Sequence, residues 1–355
     1  MKFCKILLLI CAIFFTGQLR AQDIHYTLFN YSPILLNPAN TGAFEGTFRI
    51  GGIYRDQWGS VLSSQFQTPS FYVDAPIIRG FKKTHWVGVG GTMFSDKAGA
   101  LNLSNNAFLG SVAYHIGLNK KMTSAFTIGV QAGMRQRRLD VMNAIWGDAL
   151  QDLADSGGMS TGFMSPDETR VGDNSSFFDL SAGVLYRSAG PKQTDITIGV
   201  SVNHILTPNY SFINQNDSRV GNNPDSIAVD FPMRITAHGE LTFDLNKKWD
   251  LSPTFLINQI TNMNELSLQV WAGYKLKPEE DIKLRFGTGY RIGDAAKVLV
   301  GMDYKAFRAA AAYDVNISQL SSQTNTVGGF EIAVSYIAKI FKDPEIKPAI
   351  FCPRL

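Results

Sequence analysis

Past its first twenty residues the chain has no cysteine before Cys352, no long hydrophobic run and little charge. Each shortage excludes something. One cysteine outside the leader cannot form an intramolecular disulfide, so a disulfide-stapled fold is ruled out. A membrane-spanning helix needs roughly twenty consecutive apolar residues, and no segment downstream of the leader supplies them. Charged residues make up 18 % of the chain, against about a quarter in ordinary soluble proteins. The net charge is +3 and the lysines are scattered, so neither nucleic acid nor an acidic partner follows from charge. Catalytic signatures are missing as well: there is no His-Glu-x-x-His, Gly-x-Ser-x-Gly, phosphate loop or paired-cysteine motif. His85, His115, His204 and His238 could each offer a base, yet none has a flagged nucleophile nearby. Asp148, Asp152 and Asp155 follow Arg135, Arg137 and Arg138 without the alternating oxygen ligands of a calcium loop, and are read as solvated loop residues pairing with those arginines. The expectation is a chain with no enzymatic activity, no cofactor and no metal.

What is present begins with the leader. Lys2 and Lys5 precede or flank an apolar run from Ile6 to Phe15 that closes on Leu19-Arg20-Ala21. That is the pattern of a secretory signal peptide, with cleavage expected before Gln22. Cys11 lies within the apolar run rather than behind a small residue at its end, which argues against a lipoprotein.

From Glu45 onward the governing pattern is alternation with period two, which sends successive side chains to opposite faces of a strand. Phe126, Ile128, Val130, Ala132 and Met134 share one face; Thr127, Gly129, Gln131, Gly133 and Arg135 share the other. Ile282, Leu284, Phe286, Thr288, Tyr290 and Ile292 alternate in the same way with Lys283, Arg285, Gly287, Gly289 and Arg291. An apolar stripe opposite a polar or glycine stripe is what a transmembrane barrel strand requires. Fourteen such segments start near Glu45, Gln65, Thr84, Leu101, Thr123, Phe177, Thr194, Phe231, Lys248, Asn264, Asp281, Lys297, Phe307 and Thr326. The predicted fold is therefore an all-β outer-membrane barrel of about 14 antiparallel strands spanning residues 45–341.

Connection lengths support this independently, because outer-membrane barrels have short periplasmic turns and longer external loops. The two longest connections, Gln136 to Ser176 and Leu206 to Asp230, are the fifth and the seventh, so both fall on one side. An exported soluble β-sandwich would explain the alternation equally well, but not this parity or the outward apolar stripe. Trp86, Tyr114, Tyr186, Trp249, Tyr274 and Tyr304 are placed by their positions in the interfacial aromatic belts. On the polar faces, Arg49, Arg55, Arg135, Arg187, Arg234, Lys283, Arg285, Arg291 and Arg308 point inward by parity. Asp179, Asp195, Glu240, Glu265, Asp303 and Asp314 point the same way. Such a lumen can be a wet channel or can hold a plug, and pairing among these charges favours the plug.

Two segments fall outside the strands. Residues 22–44, with Pro33, Asn37-Pro38 and Thr41-Gly42, break into turns, and fit either a hatch inside the lumen or a segment at the periplasmic mouth. Residues 342–355 carry Pro344, Pro348 and Pro353 and read as an extended periplasmic tail. Its Cys352 fits either a reactive, partner-bonded thiol or a residue kept for shape.

Several local sequences together resemble one family. Ser32 to Gly42, with Asn37-Pro38-Ala39 and Gly42, is similar to the NPA-x-x-G opening of the PorP/SprF proteins, barrels that serve the type IX secretion system of Bacteroidota. Arg55-Asp56-Gln57-Trp58 resembles their R-x-QW element and Asp74-Ala75-Pro76 their DAP. Ser95 to Gly99, Ala113-Tyr114-His115 and Asn203-His204 continue the match. Phe351-Cys352-Pro353-Arg354-Leu355 resembles the CPRF ending, with Leu355 in place of the usual final Phe. The resemblance implies an outer-membrane location after signal cleavage and a non-enzymatic role. It also implies type IX secretion components as partners on the periplasmic side, a secreted surface adhesin as cargo or attached partner, and a link to gliding-type motility. Outer-membrane lipid is the remaining partner. Asn-Pro-Ala also occurs in the hatch of fatty-acid channel barrels, so the alternative is a passive channel for small or apolar solutes.

Overall fold

A strand with one lipid-facing side must pair every backbone N–H and C=O, because the hydrocarbon core offers no water to do so. Closing the sheet on itself removes the last unpaired edges. A computed structural model describes residues 23–59, 66–79, 84–99, 101–120, 123–140, 147–156, 165, 171–190, 194–212, 230–261, 263–277, 281–319 and 321–340. Its strands are β1 (Phe48–Gln57), β2 (Phe66–Arg79), β3 (His85–Ala98), β4 (Leu103–Gly117) and β5 (Ser124–Arg138). They continue as β6 (Asn174–Gly190), β7 (Thr194–Asn203), β8 (Arg234–Asp244), β9 (Trp249–Ile260) and β10 (Met263–Lys277). The last four are β11 (Ile282–Arg291), β12 (Ala295–Tyr304), β13 (Phe307–Asn316) and β14 (Val327–Ala338). Each strand is antiparallel to its sequence neighbours, and β1 pairs with β14 from Phe48 opposite Ala338 to Gln57 opposite Gly329. The result is a closed barrel of 14 strands, and every strand starts within three residues of its predicted start.

Burial follows the predicted alternation. Ile128, Val130 and Met134 are exposed on the outer wall while Thr127, Gln131 and Arg135 are buried inside. Phe286 and Tyr290 point out where Arg285 and Arg291 point in. The connections 139–173 and 204–233 leave the same end of the barrel, called here the long-loop mouth. The opposite, short-turn mouth carries connections such as 191–193, 245–248 and 305–306.

Two details differ from expectation. Trp86 is not a belt residue: it shares the parity of Gly88 and Gly90, points into the lumen, and stacks on the His115 ring at 4.5 Å and 4°. The connection after β5 also contains a helix, α2 (Gly147–Asp155), on which Asp148, Asp152 and Asp155 all stand. Among the described residues no group of His, Cys, Asp or Glu is placed to hold a metal ion.

Residues 23–43 lie inside this ring. They form 3-10 turns at Phe29–Tyr31 and Pro38–Asn40 around the short helix α1 (Pro33–Leu36). Tyr26, Leu28, Tyr31, Ile34, Asn37, Ala39 and Thr41 are all buried. Proline at the first position of α1 and of the second turn sets the backbone angle there and needs no hydrogen bond for its missing N–H.

Candidate functional site

The site is the lodging of this segment. Asn37 to Gly42 occupy the lumen from mid-height to the short-turn mouth. The Asn37 side chain accepts from the Ala39 N–H at 2.9 Å, which fixes the turn. Its Nδ2 donates to the carbonyls of Val184 at 3.0 Å and Val200 at 3.3 Å and faces His238 Nε2 at 3.2 Å. One side chain therefore ties the segment to β6, β7 and β8. Glycines make room for it. A Cβ on Gly183 or Gly199 would collide with the Asn37 amide, and one on Gly129 with the Pro38-Ala39 backbone. Gly88 stands equally close to Thr41 and Gly42, and Gly42 itself has φ +70, a conformation that suits glycine.

Polar groups from β1 to β6 complete this seat. The Gly42 N–H donates to Asp74 at 2.7 Å, and Asp74 also receives Arg49 at 2.9 and 2.8 Å. Arg49 in turn donates to the Asn40 carbonyl at 3.1 Å. His115 Nε2 lies 2.8 Å from the Thr41 carbonyl. Since that carbonyl can only accept, Nε2 carries the proton and Nδ1 accepts from Thr127 at 2.8 Å. Trp86 Nε1 donates to the Gly42 carbonyl at 3.1 Å, and Arg187 donates to the Ala43 carbonyl. Pro76 is buried beside a bulge, where the register passes from Pro76 opposite Gly88 to Ile78 opposite Val87. Proline's missing donor is tolerated at such a break in the ladder.

Toward the long-loop mouth the segment is held by charge. Glu331 accepts from the N–H groups of Thr27 at 2.7 Å and Leu28 at 2.8 Å and pairs with Arg55. The Thr27 hydroxyl donates to Asp314 at 2.7 Å and accepts from Arg291 at 3.0 Å. Gln269 donates to the Thr27 carbonyl at 2.7 Å. Gln57 accepts from Arg55 at 3.1 Å, which steadies the guanidinium. Further out, Asp23 is met by Arg234 at 2.6 Å, His204 at 2.9 Å and Arg135 at 3.6 Å. Asp179 holds Arg135 at 2.7 Å and His204 at 3.0 Å from the other side. Burial alone would raise the Asp23 carboxyl, but Arg234, His204 and Arg135 outweigh it and hold the group well below the usual carboxylate range. Burial, reinforced by Arg291 and Arg55, pushes the His25 imidazole well below its ordinary value. Cavities of about 290 Å³ and about 50 Å³ flank Asp23, Ile24 and His25.

The motif residues thus fall into groups. Asn37, Pro38, Ala39, Gly42, Asp74 and Pro76 share the short-turn half, and Arg55 and Gln57 share the long-loop half. Trp58 stands apart at the end of β1, with φ 60 and its ring edge-on to Phe66 at 5.4 Å. Phe351, Cys352, Pro353, Arg354 and Leu355 lie outside the described residues. Sequence reasoning did not single out Asp23, Thr27, Gln269, Glu331 or the glycine seats. His115 and His204, read in the sequence as possible bases and as fragments of the family resemblance, prove to touch the segment directly. The arrangement holds a peptide by hydrogen bonds and ion pairs on all sides.

Solved structures of similar shape include the toluene transporter TodX of Pseudomonas putida, at 11 % identity and a TM-score of 0.50, covering 86 % of this chain and 92 % of that one. The toluene transporter TbuX of Ralstonia pickettii is 10 % identical, with a TM-score of 0.48 and coverage of 87 % and 93 %. The translocator domain of the autotransporter NalP from Neisseria meningitidis is 8 % identical, with a TM-score of 0.41 and coverage of 87 % and 94 %. Identities this low speak to fold alone, and the fold is that of an outer-membrane β-barrel. No curated protein matches the chain. A family model does: the one described as type IX secretion system membrane protein PorP/SprF matches residues 18–336, nearly the whole barrel together with its lumenal segment, and the chain belongs to that family.

Proposed function

We propose that this barrel is a non-enzymatic anchor of the type IX secretion system, exported with a signal peptide cleaved before Gln22 and binding its partners at its two mouths. Secretion components dock at the short-turn, periplasmic mouth. A secreted adhesin is engaged at the long-loop, external mouth, for export or surface attachment. The observation that carries this reading is the lodging of residues 23–43, which are bonded inside the lumen to β2, β3, β6, β10 and β14. A barrel stoppered in this way suits docking better than conduction. Residues 23–43 then act as a hatch. The tail 342–355, ending Phe351 to Leu355, is the docking element on the periplasmic side. Three prolines restrict φ and withhold backbone donors there, which lowers the ordering cost of capture in a groove.

Deletion of Ile350 to Leu355 tests this. The truncated barrel is expected to insert and fold, yet to lose co-purification with periplasmic secretion components and to stop supporting adhesin export. Full retention of both would overturn the docking role. The Cys352→Ser variant separates a disulfide, which would vanish on non-reducing gels, from a contact of shape, which would persist. The rival reading is a passive channel for a small or apolar solute, as the transporter names of the similar folds suggest; it requires the lumenal segment to move aside for the solute.

A further inference from the structure

The outer wall is not uniform. On β3, β4 and β5 the outward residues align across the register into horizontal rows. Nearest the long-loop mouth is the row Lys97, Ser104, Arg138, followed by Ser95, Asn106, Gln136. Below them come Met93, Phe108, Met134, then Gly91, Gly110, Ala132, then Val89, Val112, Val130. The wall therefore passes from cations through neutral polar groups to a purely apolar field within a few residues of strand. An open cavity of about 680 Å³ lies at the transition, lined by Phe71, Met93, Phe108 and Met134 on the apolar side and by Ser95 and Asn106 on the polar side.

The two cations set this wall apart. Lumenal Arg49, Arg55, Arg135, Arg291 and Lys283 each lie within reach of a carboxylate. Lys97 and Arg138 are both exposed, and among the described residues neither forms an ion pair. They flank Ser104 on adjacent strands, so their backbones stand roughly 10 Å apart, two inter-strand spacings. Both long side chains can then reach one anion held between them. Among the described strand residues they are also the only outward-facing cations at this end of the barrel.

The geometry points to a specific lipid site on this wall: a phosphorylated lipid of the long-loop leaflet, its phosphate held between Lys97 and Arg138 and one acyl chain lying over the Met93, Phe108 and Met134 row. Charge complementarity selects the headgroup, because an unpaired cation pair at the membrane surface attracts an anionic phosphate and gains little from a zwitterionic one. The cavity and the small residues beneath it select the chain. A Cβ built on Gly91 or Gly110 meets no atom nearer than 3.7 or 3.9 Å, so the wall is recessed there and open to an acyl chain. This inference concerns lipid and is independent of the secretion partners proposed above.

Native mass spectrometry of the full mature barrel in an uncharged detergent tests it, with dioleoylphosphatidylglycerol, dioleoylphosphatidylcholine and inorganic phosphate as probes. The wild-type protein is expected to retain one phosphatidylglycerol over phosphatidylcholine by roughly tenfold. The double variant Lys97→Gln, Arg138→Gln should lose that preference while keeping its heat-modifiable migration. Gly110→Leu, which fills the recess and leaves both cations in place, should also weaken retention. Equal retention of the two lipids by the wild type, or an unchanged preference in the double variant, would overturn the proposal. Complete displacement of phosphatidylglycerol by millimolar inorganic phosphate would overturn it too, since the site would then read the headgroup alone.

Discussion

The two ends of the lumenal segment are held by different physics. From Asp23 to Leu28 the contacts are charge-assisted: Asp23 among Arg234, His204 and Arg135, and the Thr27 backbone clasped by Glu331, itself paired with Arg55. From Asn37 to Gly42 they are mostly hydrogen bonds to a steric seat, in which Gly129, Gly183 and Gly199 let the backbone and the Asn37 amide approach the wall. The ionic end depends on keeping every partner, because a deserted buried charge is costly. The seated end depends on shape, and a single added methyl group is felt there.

The largest expected effect comes from breaking the ionic end at its node. Glu331→Ala removes the acceptor for two backbone N–H groups and leaves buried Arg55, among the described residues, with Asp314 at 3.5 Å as its remaining carboxylate. A loss of about 3–5 kcal/mol is expected, measured by denaturant unfolding in micelles. A smaller loss at Glu331 than at the glycine seat would reverse the ranking of the two ends. At the seat, Gly129→Val should cost about 1–3 kcal/mol by overpacking against Pro38-Ala39. Hydrogen exchange should quicken at the Thr41 and Gly42 amides while those of Thr27 and Leu28 stay protected.

Acidification should act on the ionic end in two steps. His25 has a depressed value in the lodged state, so its contribution is complete above the free imidazole value of about 6.5 and declines as pH falls below it. Asp23 is also depressed; its contribution is complete above about 3.9 and declines as pH falls through the lower, lodged value. Both signs therefore loosen the lodging in acid. Exchange at the Thr27 and Leu28 amides should accelerate first in the His25 window and again in the Asp23 window. His25→Gln should abolish the first step and Asp23→Asn the second; a profile unchanged by either variant would remove these groups from the account. The smallest effect is expected from an ion pair that does not touch the segment. Lys275 and Asp244 are 3.3 Å apart and partly exposed, so Lys275→Ala should cost under about 1 kcal/mol and leave exchange in residues 23–43 unaltered.

The wall was legible in the sequence because its cause is local. Period-two alternation in Phe126 to Arg135 or Ile282 to Arg291 follows directly from which side meets lipid, and loop parity follows from counting. The lodging of residues 23–43 was legible only as a choice between lumen and mouth. Parity places Arg55, Arg291 and Asp314 inward, but which partner each meets depends on the three-dimensional ring. Thr27 lies 304 residues from Glu331, whose carboxylate accepts its N–H. Gly129 reads as a member of a polar or glycine stripe, and its role as a seat emerges only beside Pro38 and Ala39. Trp86 went astray because an aromatic near a strand end suits a membrane belt; its shared parity with Gly88 and Gly90 was the available signal. The R-x-QW and DAP elements carried no visible mechanism until Arg55 met Glu331 and Asp74 met the Gly42 N–H.

Closure of the lumen is the claim on which the proposed function rests, and ion conductance across a planar bilayer tests it most directly. The mature barrel should show no steady open-pore current, and deletion of Asp23 to Ala43 should produce one, provided the shortened barrel still inserts. A stable open-pore conductance from the intact protein, unchanged by that deletion, would contradict the account.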